Sequence, residues 1–151
     1  MGLSQGVYVT EELHIGVLMF IAHRAAENRI LEALHRAGFT EITMAQARLG
    51  ARIGPNGTRL NELAEQAQVA KQTATFLVDQ LEKAGYAERV PDPTDGRARL
   101  VQITEFGKDL LPIARAEEAR IDADWTAHIG VRRMKQLREA LTMLREITDP
   151  Y

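Results

Sequence analysis

The chain has no cysteine among its 151 residues. That excludes disulfides, thiolate zinc sites and cysteine-based redox sensing, and it fits a reducing cytoplasm. No apolar run is long enough to cross a bilayer; the most apolar stretch, "HIGVLMFIA", falls far short of a span. The opening segment "MGLSQGVYVTEELH" has no basic stretch followed by an apolar one, so no signal peptide and a cytoplasmic location are expected. No repeat or low-complexity tract is present. An excess of one charge is also missing. The formal net charge is −2, and residues 45–101 hold eight Lys and Arg against seven Asp and Glu. A nucleic-acid-binding domain usually declares itself by a basic balance, and this one does not. Any phosphate-binding surface must therefore come from where the charges sit.

What is present is an ordinary globular balance, 45% apolar and 26% charged, in a length that suits one compact unit with a real core. Residues 11–37 read as one long helix ending at Gly38, a good C-terminal cap. Its first half, "LHIGVLMFIA", is apolar almost all round and is expected to be buried on more than one side, at a subunit interface or in the centre of the fold. "TEITMAQARLGARI" predicts a shorter helix from about Thr43, broken by Gly54-Pro55-Asn56-Gly57.

In "TRLNELAEQAQ", Leu60, Leu63, Ala64 and Ala67 share the face of a short amphipathic helix. A turn at Gln68-Val69-Ala70 leads into "KQTATFLVDQLEKAG", whose apolar face is Ala74, Leu77, Val78 and Leu81, closed by Gly85. Two short helices joined by a tight turn form the pattern of a helix-turn-helix. "YAERV" and "ARLVQI" then predict two strands around "PDPTDGR". Thr104 is placed to cap a long helix running to about His128, with Pro112 bending it or lying near its first turns. In "VRRMKQLREALTMLREI", Met134, Leu137, Leu141 and Leu144 alternate at spacings of three and four, a narrow coiled-coil-like seam. The predicted fold is mainly α with a small antiparallel β-hairpin wing: a winged helix-turn-helix plus a helical dimerisation region. The expected division is 1–42 for an N-terminal dimerisation helix, 43–104 for the winged domain and 105–151 for C-terminal dimerisation helices.

The order and spacing of "LNELAEQAQVAKQTATFLVDQLEKAGYAER" and "DPTDGRARLVQITEFGKDLL" resemble the MarR family of bacterial transcription regulators over roughly residues 11–148. The second stretch resembles the family's wing, Asp-Pro-x-Asp-x-Arg, followed by an apolar strand and Thr-x-x-Gly-x-x-Leu-Leu. Two positions depart from the family pattern. Gln68 stands where many members have a glycine in the turn, and Phe76 stands where many have an arginine in the middle of the recognition helix. The resemblance implies a homodimeric regulator that binds double-stranded DNA at a pseudo-palindromic operator, expected here to be a repressor. It further implies a small aromatic or anionic effector bound between the dimerisation helices and each winged domain, at residues no motif identifies.

Winding the second short helix at about 100° per residue leaves Gln72, Thr75, Phe76 and Asp79 opposite or beside the buried stripe. Gln can bond adenine through two hydrogen bonds, Thr offers a hydroxyl and a methyl, and Phe can touch a thymine methyl. Lys71 and Thr73, near the helix N-terminus, are placed for phosphates. Asp79 would be repelled by phosphate, so an intramolecular role is expected for it. On the hairpin, Arg97 matches the family's wing arginine, and Arg99 points to the same side of an extended strand. A planar guanidinium suits a narrow negative groove and bidentate phosphate contacts. Asp95 is expected to hold Arg97 in place.

His14, His23, His35 and His128 do not form an i, i+4 pair and no HExxH pattern accompanies them, so no metal or cofactor is expected. His14 and His23, on the apolar helix, are expected to be buried or to line a pocket. An enzyme lacks support, since no nucleophile–base pair, phosphate loop or metal constellation is visible. The alternative to a DNA-binding regulator is a winged-helix protein-interaction module that does not bind DNA, with Phe76 as its anchor.

Overall fold

The computed structural model describes residues 12–151. The expected helix start at residue 11, and most of the segment read as free of a signal peptide, lie outside them. The order is α1 (Ile15–Arg36), α2 (Met44–Gly50), β1 (Thr58–Arg59), α3 (Leu60–Ala67), α4 (Lys71–Lys83), β2 (Ala87–Asp92), β3 (Asp95–Ile103), a short 3-10 turn at Gly107–Asp109, α5 (Leu110–Ile129) and α6 (Val131–Thr148). Among the described residues no helix is long and apolar enough to cross a membrane.

Local chemistry sets the helix starts. The His14 ring caps α1, its Nδ1 accepting from Gly16 N at 3.0 Å. Thr43 and Gln46 form a reciprocal capping box at α2, each side chain bonding the other's backbone N–H. The small core sits where α2, α3 and α4 meet the sheet. Leu49, Leu63, Val78 and Val101 are fully buried there, with Ala74, Leu77, Leu81 and Ala87 around them. The amphipathic stripes expected of α3 and α4 are therefore the faces that make this core.

The helix-turn-helix turn closes without glycine. Gln68 takes a left-handed conformation, φ 54° and ψ 47°. Its side chain compensates by donating from Nε2 to Glu65 O at 2.6 Å. This is how a residue with a Cβ occupies a position that glycine fills at less steric cost.

The wing is larger than a hairpin. β1 pairs antiparallel with β3, Thr58 opposite Val101 and Arg59 opposite Leu100, giving a three-stranded sheet of order β1-β3-β2. The two expected strands also run further than expected, leaving only Pro93 and Thr94 between them.

The expected capping role of Thr104 is realised through the 3-10 turn. Its Oγ1 accepts from Gly107 N at 3.0 Å and donates to Gly85 O at 2.5 Å. Gly107 admits no side chain, because a Cβ there would collide with the Tyr86 carbonyl and the Ile103 side chain. Pro112 is the third residue of α5, where its missing N–H leaves no intrahelical bond unmade.

Two expectations need correction. His14 and His23 are exposed within the protomer; His14 serves as a cap and His23 lies beside Glu27 at 3.4 Å. The apolar first half of α1 is also exposed, with Ile15, Val17, Leu18 and Phe20 facing solvent. The physical reason is the same for both: only the second half of the helix, at Ala33 and Leu34, meets this protomer's own core.

The strained turn yields the first prediction. Gln68→Gly is expected to raise stability by about 0.5–1 kcal/mol by relieving the left-handed conformation. Gln68→Val is expected to lower it by about 1–2 kcal/mol, because β-branching is worst tolerated there. Urea unfolding of the three proteins checks both signs.

Candidate nucleic-acid interface

Helix α4 buries Ala74, Leu77, Val78 and Leu81, so its opposite face is turned outward by the same packing. Lys71, Gln72 and Thr73 are exposed in its first turn. Phe76 is 60% exposed, unusual for so large an apolar side chain in mid-helix. Thr75 is half-buried, and its Oγ1 donates to Lys71 O at 2.9 Å. Asp79 has the intramolecular role expected of it: Arg89 Nη2, on β2, donates to its Oδ1 at 2.8 Å. Arg89 also pairs with Glu82, one turn further along α4.

On the wing, Arg97 and Arg99 are exposed on β3 with half-buried Ala98 between them, as strand alternation requires. The role expected of Asp95 is corrected in its detail. Its Oδ1 accepts from the backbone N of Arg97 at 3.1 Å, so it shapes the main chain of the turn and does not clamp the guanidinium.

The structure brings Lys71 and Arg99 to one groove of about 400 Å³, lined also by Arg59, Asn61 and Arg89. Arg97 lies outside it, nearer the turn. Arg59, Asn61 and Arg89 were not singled out by the sequence reading. The alternation of "YAERV" was the available signal for Arg89; nothing local marks Arg59. Arg59 anchors the wing base through Nε and Nη2, at 2.9 and 2.7 Å from Asp92 Oδ2. Asp92 is nearly inaccessible, and its other oxygen accepts from Thr94 N at 2.8 Å and Thr94 Oγ1 at 2.7 Å. These Thr94 bonds first, and the Arg59 guanidinium with them, hold its carboxyl down at about 2.

A second concavity, a mostly apolar cavity of about 280 Å³, lies between α1, α2 and α5 with the sheet and the end of α4. Ile30, Leu34, Ile53, Leu81, Tyr86 and Leu110 contribute apolar walls, and Gln46, Arg115 and Glu118 bring polar groups. Gln46 also donates from Nε2 to Gln80 Oε1 on α4 at 3.0 Å. Tyr86 of this wall stacks on Phe106 at 5.2 Å between centroids, and Phe39 packs edge-on against Tyr86 and tilted against Phe106.

A sequence model of the MarR family matches residues 49–98, the segment from the end of α2 into the wing. A crystal structure of MarR superposes with a TM-score of 0.73 at 26% identity, covering 89% of this chain and 96% of that one. The chain resembles the MarR family in sequence over this segment and in fold over most of its length. Like the MarR-family proteins it resembles, it is a DNA-binding transcription regulator. The transcriptional activatory protein BadR of Rhodopseudomonas palustris is 28% identical over 130 residues, spanning 77% of this chain and 74% of BadR. A structure of NadR in complex with 4-hydroxyphenylacetate matches with a TM-score of 0.69 at 26% identity, covering 91% of this chain and 96% of NadR. An HTH-type transcriptional regulator, BilQ of Clostridioides difficile, is 30% identical over 70 residues, spanning 46% of this chain and 45% of BilQ.

The Asp92 anchor gives a pH prediction. Folded, its carboxyl stays ionised down to about 2; unfolded, it protonates near the ordinary value of about 3.9. Its contribution to stability is therefore complete above pH 4 and lost as pH falls from about 4 to about 2. Asp92→Asn is expected to be less stable than wild type above pH 4 and to converge on it by about pH 2, with urea midpoints across that range as the measurement.

Proposed function

We propose that the protein works as a homodimer on a pseudo-palindromic operator, with Lys71, Gln72, Thr73, Thr75 and Phe76 of α4 in the major groove and Arg97 and Arg99 on the flanking backbone or minor groove. The observation that carries this reading is the pairing of Asp79 with Arg89. It offsets the charge of the exposed carboxylate on the outward face with a guanidinium, while Lys71, Gln72, Thr73 and Phe76 stay exposed. Asp95 keeps a supporting part through the wing backbone.

Residues 43–104 are then the DNA-binding unit, and 1–42 with 105–151 the dimerisation region. Support for the dimer comes from the apolar side chains without cover in the protomer. These are Ile15 to Ile21 on α1, and Leu137, Leu141, Met143, Leu144 and Ile147 on α6, a helix with no buried residue. Two-fold symmetry sets two α4 helices about one DNA turn apart. The protein's place is the cytoplasm, with the DNA.

The cavity beside α5 suits a small, largely apolar or aromatic effector carrying a polar or anionic end, and the likeness to NadR supports that class. Gln46 stands in its wall and holds Gln80 on α4, so a ligand that moves Gln46 has a direct route to the recognition helix. Such a ligand regulates by favouring the dimer geometry whose helix spacing misfits DNA. Release on ligand binding makes the protein a repressor where the operator overlaps a promoter. The likeness to BadR favours activation instead, and transcription in vitro from the protein's own upstream region separates the two.

Fluorescence anisotropy against the protein's upstream DNA and a scrambled duplex, at several salt concentrations, tests DNA binding. The expected outcome is a preference for the upstream duplex and a steep salt dependence. Arg97→Ala is expected to weaken binding at least roughly tenfold and to lower the slope of log K against log salt by about two, one phosphate per subunit. An unchanged slope would remove Arg97 from the contact set.

A further inference from the structure

The middle of the recognition face is poor in free hydrogen-bonding groups. The Thr75 hydroxyl proton is engaged by the Lys71 carbonyl of its own helix. The Asp79 carboxylate, one turn after Phe76, is held by Arg89. The Gln80 carbonyl oxygen is turned to Gln46 on α2. Among these neighbours Phe76 projects a ring that is 60% exposed and has neither donor nor acceptor. Gln72, one turn earlier, is exposed and is the amide left facing outward.

The centre of this face therefore presents an apolar ring among hydrogen-bonding groups that are partly engaged within the protein. The major groove offers one apolar feature among its base edges, the C5-methyl of thymine. An exposed ring gains free energy only by covering apolar surface. We infer that Phe76 makes this regulator a reader of pyrimidine C5-methyl groups: each half-site carries a thymine opposite the middle of α4, recognised by its methyl. Cytosine methylated at C5 presents the same group at the same place in the groove. A cytosine at that step is therefore bound better methylated than bare, which makes binding responsive to DNA methylation. This inference rests on the reading of α4 as the helix that enters the major groove.

The test starts from a duplex pool with a randomised centre, selected by the wild-type protein. The enriched duplex is then remade with each thymine replaced singly by deoxyuridine, which removes only the methyl. One thymine per half-site is expected to lose about fourfold in affinity, the effect of one methyl group returned to water. Phe76→Ala is expected to bind the thymine and deoxyuridine duplexes alike, and Phe76→Leu to keep part of the difference. With cytosine at that step, the C5-methylated duplex is expected to bind wild type about fourfold more tightly than the unmethylated one, and Phe76→Ala no more tightly. If no deoxyuridine replacement matters while binding stays sequence-selective and salt-dependent, methyl reading is wrong and the DNA-binding reading stands. If the pool yields no enrichment and nothing binds at low salt, both fail, and the exposed ring belongs to a protein contact.

Discussion

A chain with more carboxylates than cationic side chains can face a polyanion only if its carboxylates are tied away from the contact. Here the tying is done within the winged unit. Arg89 takes Asp79 and Glu82 together, and Arg59 takes Asp92, so three acids around α4 and the wing base are matched by two guanidiniums. Lys71, Arg97 and Arg99 stay uncommitted among the described ion pairs and set the sign of the surface. The same pairs have a mechanical effect: Asp79–Arg89 joins α4 to β2, and Asp92–Arg59 joins β1 to the turn of the wing. Charge compensation and the relative placement of helix and wing are thus one set of contacts.

A second set holds the long helices. Glu117 on α5 is buried and accepts from Arg120 at 2.9 Å and from Arg29 on α1 at 3.0 Å, while Arg29 also reaches Asp124. Its carboxyl is held below the usual range by Arg120 first and then by Arg29. A buried pair of this kind contributes little net stability, since desolvation offsets the attraction. What it does impose is register, because α5 cannot slide along α1 without stranding a charge. From α1, Glu27 receives Arg48 of α2 through two bonds, at 2.8 and 2.9 Å. Polar contacts therefore run from α1 through α2 to α4 along one side of the apolar cavity.

The helix-turn-helix was legible because its signal is local. Leu63, Ala64, Ala74, Leu77, Val78 and Leu81 repeat at helical spacing, and those are the residues that the fold buries. Strand β1 was not legible, since two residues carry no periodicity and Thr58 pairs only once β3 lies opposite it. Arg59 was invisible for a related reason: its partner Asp92 is 33 residues away, brought near by that same pairing. The exposure of Phe76 and the tie on Asp79 followed from winding the helix. His14 and His23 were misjudged because an all-round apolar helix signals burial without saying against what; within one protomer there is nothing to bury them. Asp95 was placed correctly in the wing, but a side chain two residues from an amide commonly bonds that amide before a distant guanidinium.

Thr104 gives the architecture a pivot. One hydroxyl is bonded both to Gly85, just past the end of α4, and to Gly107, at the entry to α5. Helix α5 is 20 residues long, a lever arm of roughly 30 Å at 1.5 Å per residue. Tilting that arm by about 5° about the joint shifts its far end by roughly 2.6 Å, half the rise of one helical turn. The winged unit is the short side of this lever. A small displacement at the cavity near the pivot is therefore magnified along α5, and a constraint imposed at its far end is geared down into a fine adjustment of α4.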